Sequence, residues 1–181
     1  MVIGISMLLA PAHAYERITQ SYTLPTLPLQ RADGQAMPLS KALADGRPVV
    51  LTFMFSSCKT VCPITNQTLV ELGQLLGPQR DRVSLVSISI DPDHDSVKQM
   101  AAYAQRNGHQ GLYFTGDPGS TEAVQRAFDA WRGNKMHHEP AFYLYHAPST
   151  SSRWVRLAGV VTARELLQEL RQLAPGLGVK P

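Results

Sequence analysis

From Pro48 onward the chain alternates short apolar runs with longer stretches whose apolar positions recur every three or four residues, and few folds satisfy that order. Residues 49–55 are almost continuously apolar, lie between Pro48 and Ser56, and read as a buried strand. Residues 63–76 read as a helix with Pro63 in its first turn, Leu69, Leu72, Leu75 and Leu76 on one face, and Gly77-Pro78 as its stop. A second strand at 83–90 closes on Asp91-Pro92, and Asp95-Ser96 opens a helix that ends at Asn107-Gly108. A short strand at 112–115 precedes a helix at 118–131 that turns Val124, Ala127, Phe128 and Trp131 inward. Strands at 141–145 and 154–157 flank a turn at 147–152. The last helix, 162–173, has Thr162 as N-cap, Glu165 at the capping-box position, and Leu166, Leu170 and Leu173 toward the sheet. Ahead of all this, residues 15–47 are rich in Pro, Gly and polar residues, with short strands at 21–24 and 35–39 around the turn Asp33-Gly34.

The order is therefore a β lead-in followed by β-α-β-α-β-α-β-β-α. Helices that alternate with strands pack on the faces of a central sheet. The last two strands follow one another through a turn and run antiparallel, so the sheet is mixed. A mixed sheet that ends in a hairpin and a helix is the thioredoxin arrangement. The expected fold is thus α/β and thioredoxin-like, a central mixed β-sheet flanked by helices, with an N-terminal β extension. One domain is the natural division of 181 residues. With 17% charged and 44% hydrophobic residues the chain is neither disordered nor fibrous. Its net charge of +3 comes without a run of Lys or Arg, so no nucleic-acid partner is expected.

Residues 1–10 carry no charge and are mostly apolar, and Pro11-Ala12-His13-Ala14 follows. Ala12 and Ala14 are the small residues a signal peptidase accepts, so residues 1–14 read as a signal peptide cleaved after Ala14, leaving 15–181 as the single domain. The apolar stretch is shorter than the roughly 20 residues of a membrane span. The expectation is a periplasmic, soluble, monomeric protein in a compartment where disulfides persist.

The only two cysteines, Cys58 and Cys62, sit at the junction between the first buried strand and its helix. Such a pair can be a redox couple, a soft-metal clamp or a plain disulfide. Residues four apart at a helix start lie on one face, so both thiols can reach one point. The helix N-terminus favours thiolate, the form that attacks disulfides and binds metal, and Lys59 adds a cation. Two thiolates alone suit Cu(I), whereas Cu(II) needs a further ligand. That ligand is His137 or His138, just before the penultimate strand, in a loop that a thioredoxin-like fold carries over the cysteine helix. His13 leaves with the signal peptide, and His94, His109 and His146 fall at turns or strand ends away from the site. Met54 and Met100 belong to the core, while Met136 adjoins the histidine pair; Trp131 and Trp154 read as packing residues. Asp91-Pro92 reads first as a turn.

Three segments together resemble one family. Thr52-Phe53-Met54-Phe55-Ser56-Ser57-Cys58-Lys59-Thr60-Val61-Cys62-Pro63 resembles the copper-site segment of the Sco/SenC proteins. Ser89-Ile90-Asp91-Pro92-Asp93-His94-Asp95-Ser96 is similar to their S-I-D-P-x-x-D-[ST] segment, and His138, five residues before Tyr143-Leu144, falls at the spacing of their copper-binding histidine. The resemblance covers about residues 20–173. It implies a thioredoxin-like fold that binds copper, as Cu(I) or Cu(II), through Cys58, Cys62 and His138. It also implies a metallochaperone that delivers copper to the dinuclear centre of a cytochrome c oxidase subunit, or reduces that centre's cysteines, with another periplasmic copper protein as a second kind of partner. Two further functions are compatible with the residues: a thiol-disulfide oxidoreductase in which Cys58 attacks and Cys62 resolves, and a copper or redox sensor. The chain departs from the family at Lys59, where Pro is common, and at Glu139-Pro140, where a small hydroxyl residue often follows the histidine. Pro140 falls where thioredoxins carry a cis-proline.

Overall fold

The structure, a computed structural model, describes residues 14–146 and 153–178. Its strands are β1 (Tyr15–Ser21), β2 (Pro28–Arg31), β3 (Ala36–Pro38), β4 (Val49–Met54), β5 (Ser84–Ser89), β6 (Leu112–Thr115), β7 (Ala141–Tyr145) and β8 (Arg153–Gly159). Its helices are α1 (Leu39–Ala42), α2 (Val61–Leu76), α3 (Val97–Asn107), α4 (Pro118–Ala127) and α5 (Ala163–Leu173). One mixed sheet runs in the order β1-β8-β7-β4-β5-β6-β2-β3. β4, β5 and β6 are parallel, and the remaining pairings are antiparallel. This is the expected thioredoxin-like arrangement.

The central strands are apolar on both sides because both sides are covered. Alternation along β4 sends Val50 into one core, with Leu69, Leu72 and Leu76 of α2 and Leu166 and Leu170 of α5. Val49, Leu51 and Phe53 enter the other, with Met100 of α3, Val124 of α4, and Phe128. Both expected capping features of α5 are present: Thr162 accepts from the Glu165 amide and Glu165 reaches back to the N-cap.

Several expectations are corrected. The strand placed at 21–24 lies earlier, at Tyr15–Ser21, where it pairs with β8 along its whole length. It is an edge strand whose side chains are half-buried or exposed, so backbone pairing rather than an apolar run defines it. The turn Asp33-Gly34 does join a hairpin, of β2 and β3, and β2 also pairs with β6. Helix α2 begins at Val61, ahead of Pro63, which its first turn tolerates because those amides have no intrahelical partner. Leu75 is 40% exposed: the buried stripe is centred on Leu69, Leu72 and Leu76, and Leu75 falls off its edge. α4 stops at Ala127, and Asp129 adopts a left-handed φ of 55°, so Trp131 leaves the helix. Its ring is covered by the Arg126 guanidinium at 5.2 Å. The turn at 147–152 and residues 1–13 lie outside the described residues. Among the described residues no helix is long and apolar enough to cross a membrane.

Candidate metal centre

β4 ends at Met54, and the chain makes a tight turn before α2, with the Cys58 amide donating to the Phe55 carbonyl at 3.1 Å. A single carboxylate holds this turn. Asp95 is wholly buried and accepts from the Ser56 amide at 3.0 Å, from the Ser56 hydroxyl, and from the Ser89 hydroxyl at 2.5 Å. Four residues earlier, the buried Asp91 pairs with the Lys135 ammonium and with His94 Nδ1 at 3.0 Å. The turn between β5 and α3 therefore grips the cysteine loop through Asp95 and the histidine loop through Asp91. Sequence reasoning read Asp91-Pro92 as a turn and Asp95 as a helix opener. The signal it passed over was a pair of carboxylates, Asp91 and Asp95, four apart just past the end of a buried strand.

Cys58 and Cys62 come together in the first turn of α2. The Cys62 amide donates to Cys58 Sγ at 3.4 Å, and the Thr60 hydroxyl lies 3.7 Å from the same sulfur. α2 has no side-chain N-cap and no acid in its first turn, which leaves its free amides and positive end to that sulfur. Burial by itself raises the Cys58 thiol, but hydrogen bonds from Cys62 and Thr60 outweigh it and bring the group below the usual thiol value. These bonds, rather than the charge of the exposed Lys59, carry the effect. Cys62 is 1% exposed, and burial, reinforced by the Cys58 and Asp95 charges, pushes its thiol far up. The two thiols are thus unequal: one accessible and inclined to ionise, one buried and protonated. Iodoacetamide at neutral pH should modify Cys58 alone, with Cys62 reacting only after unfolding. Equal labelling on peptide mapping would show that the inequality does not exist.

His138 follows the one-turn helix at Lys135–His137, which Asn134 caps by accepting from the Met136 amide at 2.9 Å. Its Nε2 lies 3.1 Å from the Phe53 carbonyl on β4, and burial lowers its pKa, so the ring is neutral at pH 7 and donates to that carbonyl. His137 is exposed, and Met136 is 71% exposed. The fold brings Cys58 and Cys62 together and sets His138 against the strand that leads into them. It does not close the three into one cluster: among the described residues no group of three His, Cys, Asp or Glu side chains is arranged to hold a metal. As a donor set, two sulfurs within one helical turn and a neutral imidazole suit a soft cation. His138 would exchange one hydrogen bond to join it.

His146 lies away from this point, but His94 lines one cleft with His138. His94 is largely exposed beside Asp91, and His146 follows the opposite end of β7. His109 lies in the turn between α3 and β6, and it is buried there. It is 4% exposed, stacks on Tyr113 at 4.4 Å, and meets Ser87 Oγ at 2.8 Å. Gly111 permits this: a Cβ there would lie 2.5 Å from His109 Nδ1 and 2.4 Å from the Leu85 carbonyl. Met54, Met100 and Trp154 are buried. Trp131 instead lines a cleft of about 390 Å³ beside His138, with Asp91, Arg132 and Lys135. No peptide bond among the described residues is cis, so Pro140 differs from the thioredoxin proline.

Asp95 braces the cysteine turn and Asp91 latches the histidine loop, and the SCO1/SenC family model matches residues 20–174. The chain belongs to the SCO1/SenC family. A protein of Stutzerimonas stutzeri described as copper-binding is 32% identical over 99 residues, 54% of this chain and 47% of that protein. Copper-bound ScoI of Arabidopsis thaliana superposes with a TM-score of 0.68 at 24% identity, over 82% of this chain and 98% of that structure. BsSco, described as having a disulfide switch and as a member of the Sco family of cytochrome c oxidase assembly proteins, gives 0.68 at 22% identity, over 86% and 95%. These likenesses carry the thioredoxin-like fold. This SCO1/SenC chain spans less than half the length of the curated relatives it matches.

Proposed function

We propose that this SCO1/SenC protein is an exported copper metallochaperone whose cargo is held by Cys58, Cys62 and His138. The observation that carries the reading is the unequal thiol pair in one uncapped helical turn, with a neutral imidazole across the adjoining strand. Cu(I) takes both sulfurs as thiolates. Cys58 gives up its proton readily, and Cys62 loses its own because a coordinated thiol is deprotonated outright. His138 turns from the Phe53 carbonyl to supply the third ligand that Cu(II) requires. Cys58, the accessible ligand, is where an acceptor thiol enters when the cargo leaves. The copper named for the Stutzerimonas relative and bound in the Arabidopsis structure supports the cargo. The proposed client is the copper-centre subunit of cytochrome c oxidase, with residues 1–14 as the export signal and residues 15–181 as the mature, monomeric periplasmic form.

One observation favours a second reading. An accessible thiol below the usual value beside a buried one far above it is also the division between attacking and resolving cysteines, so the protein would reduce the client's cysteines before or instead of loading them.

Titration of the reduced protein separates the two. His138→Ala should lower Cu(II) affinity at least about 10- to 100-fold, since loss of an outer-shell group alone costs that much, and should bleach the thiolate-to-copper absorption. Cu(I) binding should persist through the two sulfurs, and His137→Ala should change neither. If His137 proves to be the critical residue, the ligand is misassigned. If neither histidine affects copper while both slow disulfide reduction, the reductase reading stands.

A further inference from the structure

Among the described residues, two side chains fasten the one-turn helix at Lys135–His137 and the histidine after it to the rest of the fold. One is His138, whose Nε2 donates to the Phe53 carbonyl at 3.1 Å. The other is Lys135, 31% exposed, whose ammonium donates to the Asp91 carboxylate. Met136 and His137, between them, are exposed. The first fastening is given up whenever His138 turns toward the cysteines. That leaves the Lys135 bond to hold the loop while the imidazole is away from Phe53.

Lys135 reaches the cysteine turn by two routes. In the first, its ammonium holds Asp91, whose amide donates to Ser89 Oγ at 3.0 Å. The Ser89 hydroxyl donates to Asp95, which accepts from the amide of Ser56, two residues before Cys58. In the second, the same ammonium lies 5.6 Å from the centre of the Phe55 ring. The Phe55 carbonyl in turn accepts from the Cys58 amide at 3.1 Å. On its own loop, the Lys135 carbonyl accepts from the His138 amide at 3.1 Å. One residue thus ties the histidine to the turn that presents Cys58.

We propose that Lys135 is a positioning residue: fixed on Asp91 and over Phe55, it is the pivot about which His138 swings from the Phe53 carbonyl to the cysteine pair. The proposal rests on the reading of His138 as the third copper ligand given above. A fixed pivot confines the imidazole to a short arc, so less ordering is left to do when it binds. Removing an outer-shell partner that orients a ligand commonly costs about 10- to 100-fold in metal affinity.

Lys135→Met keeps an apolar stem beside Phe55 and removes the ammonium. It should lower Cu(II) affinity about tenfold and weaken the thiolate-to-copper absorption per bound ion. Cu(I), held by the two sulfurs, should bind as it does to the unsubstituted protein. Lys135→Arg, which retains a cation for Asp91, should recover most of the loss. Diethylpyrocarbonate followed by tandem mass spectrometry reads the same pivot with no metal present. Acylation of His138 should rise about fivefold in Lys135→Met, with the exposed His137 as an unchanged internal reference. Removing Lys135 alone leaves the buried Asp91 beside the exposed His94, which lowers stability by itself. Lys135→Met/Asp91→Asn takes away both charges. A merely structural role predicts that this double variant regains its urea midpoint and its Cu(II) affinity together. A pivot predicts that the midpoint returns and the affinity does not.

Unchanged His138 acylation in Lys135→Met, or a double variant that binds Cu(II) normally, would overturn the proposal. So would a rise in Cu(II) affinity in Lys135→Met, which would mean that the ammonium acts by repelling the ion. If His138→Ala leaves Cu(II) binding intact while Lys135→Met still frees His138 for acylation, the ligand reading falls and the pivot stands. Cu(II) loss in His138→Ala, with Lys135→Met indistinguishable from the unsubstituted protein, would do the reverse.

Discussion

Asp95→Ala should destabilise the protein by about 4 kcal/mol, the largest effect expected of any single substitution at the site. The carboxylate is fully buried, and its removal takes the acceptor from the buried Ser89 hydroxyl and from the half-buried Ser56 amide and hydroxyl. Each stranded donor costs about 1–3 kcal/mol, and a hydrogen bond to a charged group contributes about 1.5–3 kcal/mol. Asp95→Asn keeps the shape and one acceptor oxygen but turns an NH2 group toward donors, so it should recover only part of the loss. Urea unfolding measures both. The same variants should lose the selectivity of Cys58 alkylation, because the turn that presents the sulfur is no longer fixed. A loss below about 1 kcal/mol would mean that the turn is held by its backbone alone.

A second large effect is acid instability set by His109. Burial, reinforced by the Arg80 charge, depresses its folded pKa to about 3. Unfolded, the ring has the ordinary value near 6.5, so below that pH the unfolded chain takes up a proton that the native state refuses. Stability is therefore unaffected by this group above about pH 6.5 and falls as pH drops toward 3. The loss reaches about 3 kcal/mol at pH 4. His109→Gln should be less stable at pH 7, since it gives up the stack on Tyr113 and refits the bond to Ser87, but it should lose less between pH 7 and pH 4. Parallel pH slopes for the two proteins in denaturant titrations would falsify this assignment.

The parts of the fold legible in the sequence are those where local chemistry and global position agree. The run at 49–55 is apolar on both faces because both faces are covered, and Thr162 with Glu165 marks a helix start by itself. The cysteine pair was legible for the same reason, since a strand followed by Pro63 fixes where the helix begins to within a turn. What escaped depends on pairings far apart in the chain. β1 has no apolar run of its own and exists because β8 offers an open edge. The grip of Asp95 on Ser56 spans 39 residues and that of Asp91 on Lys135 spans 44, so neither leaves a spacing that could be read. Trp131 sits on a helical period, but Asp129 breaks that period.

The bond between His138 and the Phe53 carbonyl has a bearing on release. A carrier that binds its cargo too well cannot deliver it. Every time the imidazole joins the proposed site it must leave a backbone acceptor, and every time the cargo departs that acceptor is waiting. A bond of this kind is worth about 1 kcal/mol, so the carbonyl acts as a competitor that weakens the third ligand's hold about fivefold. Under the proposed function, the strand that leads into the cysteines would thus also loosen the hold of the third ligand, which would favour handing the ion on over keeping it.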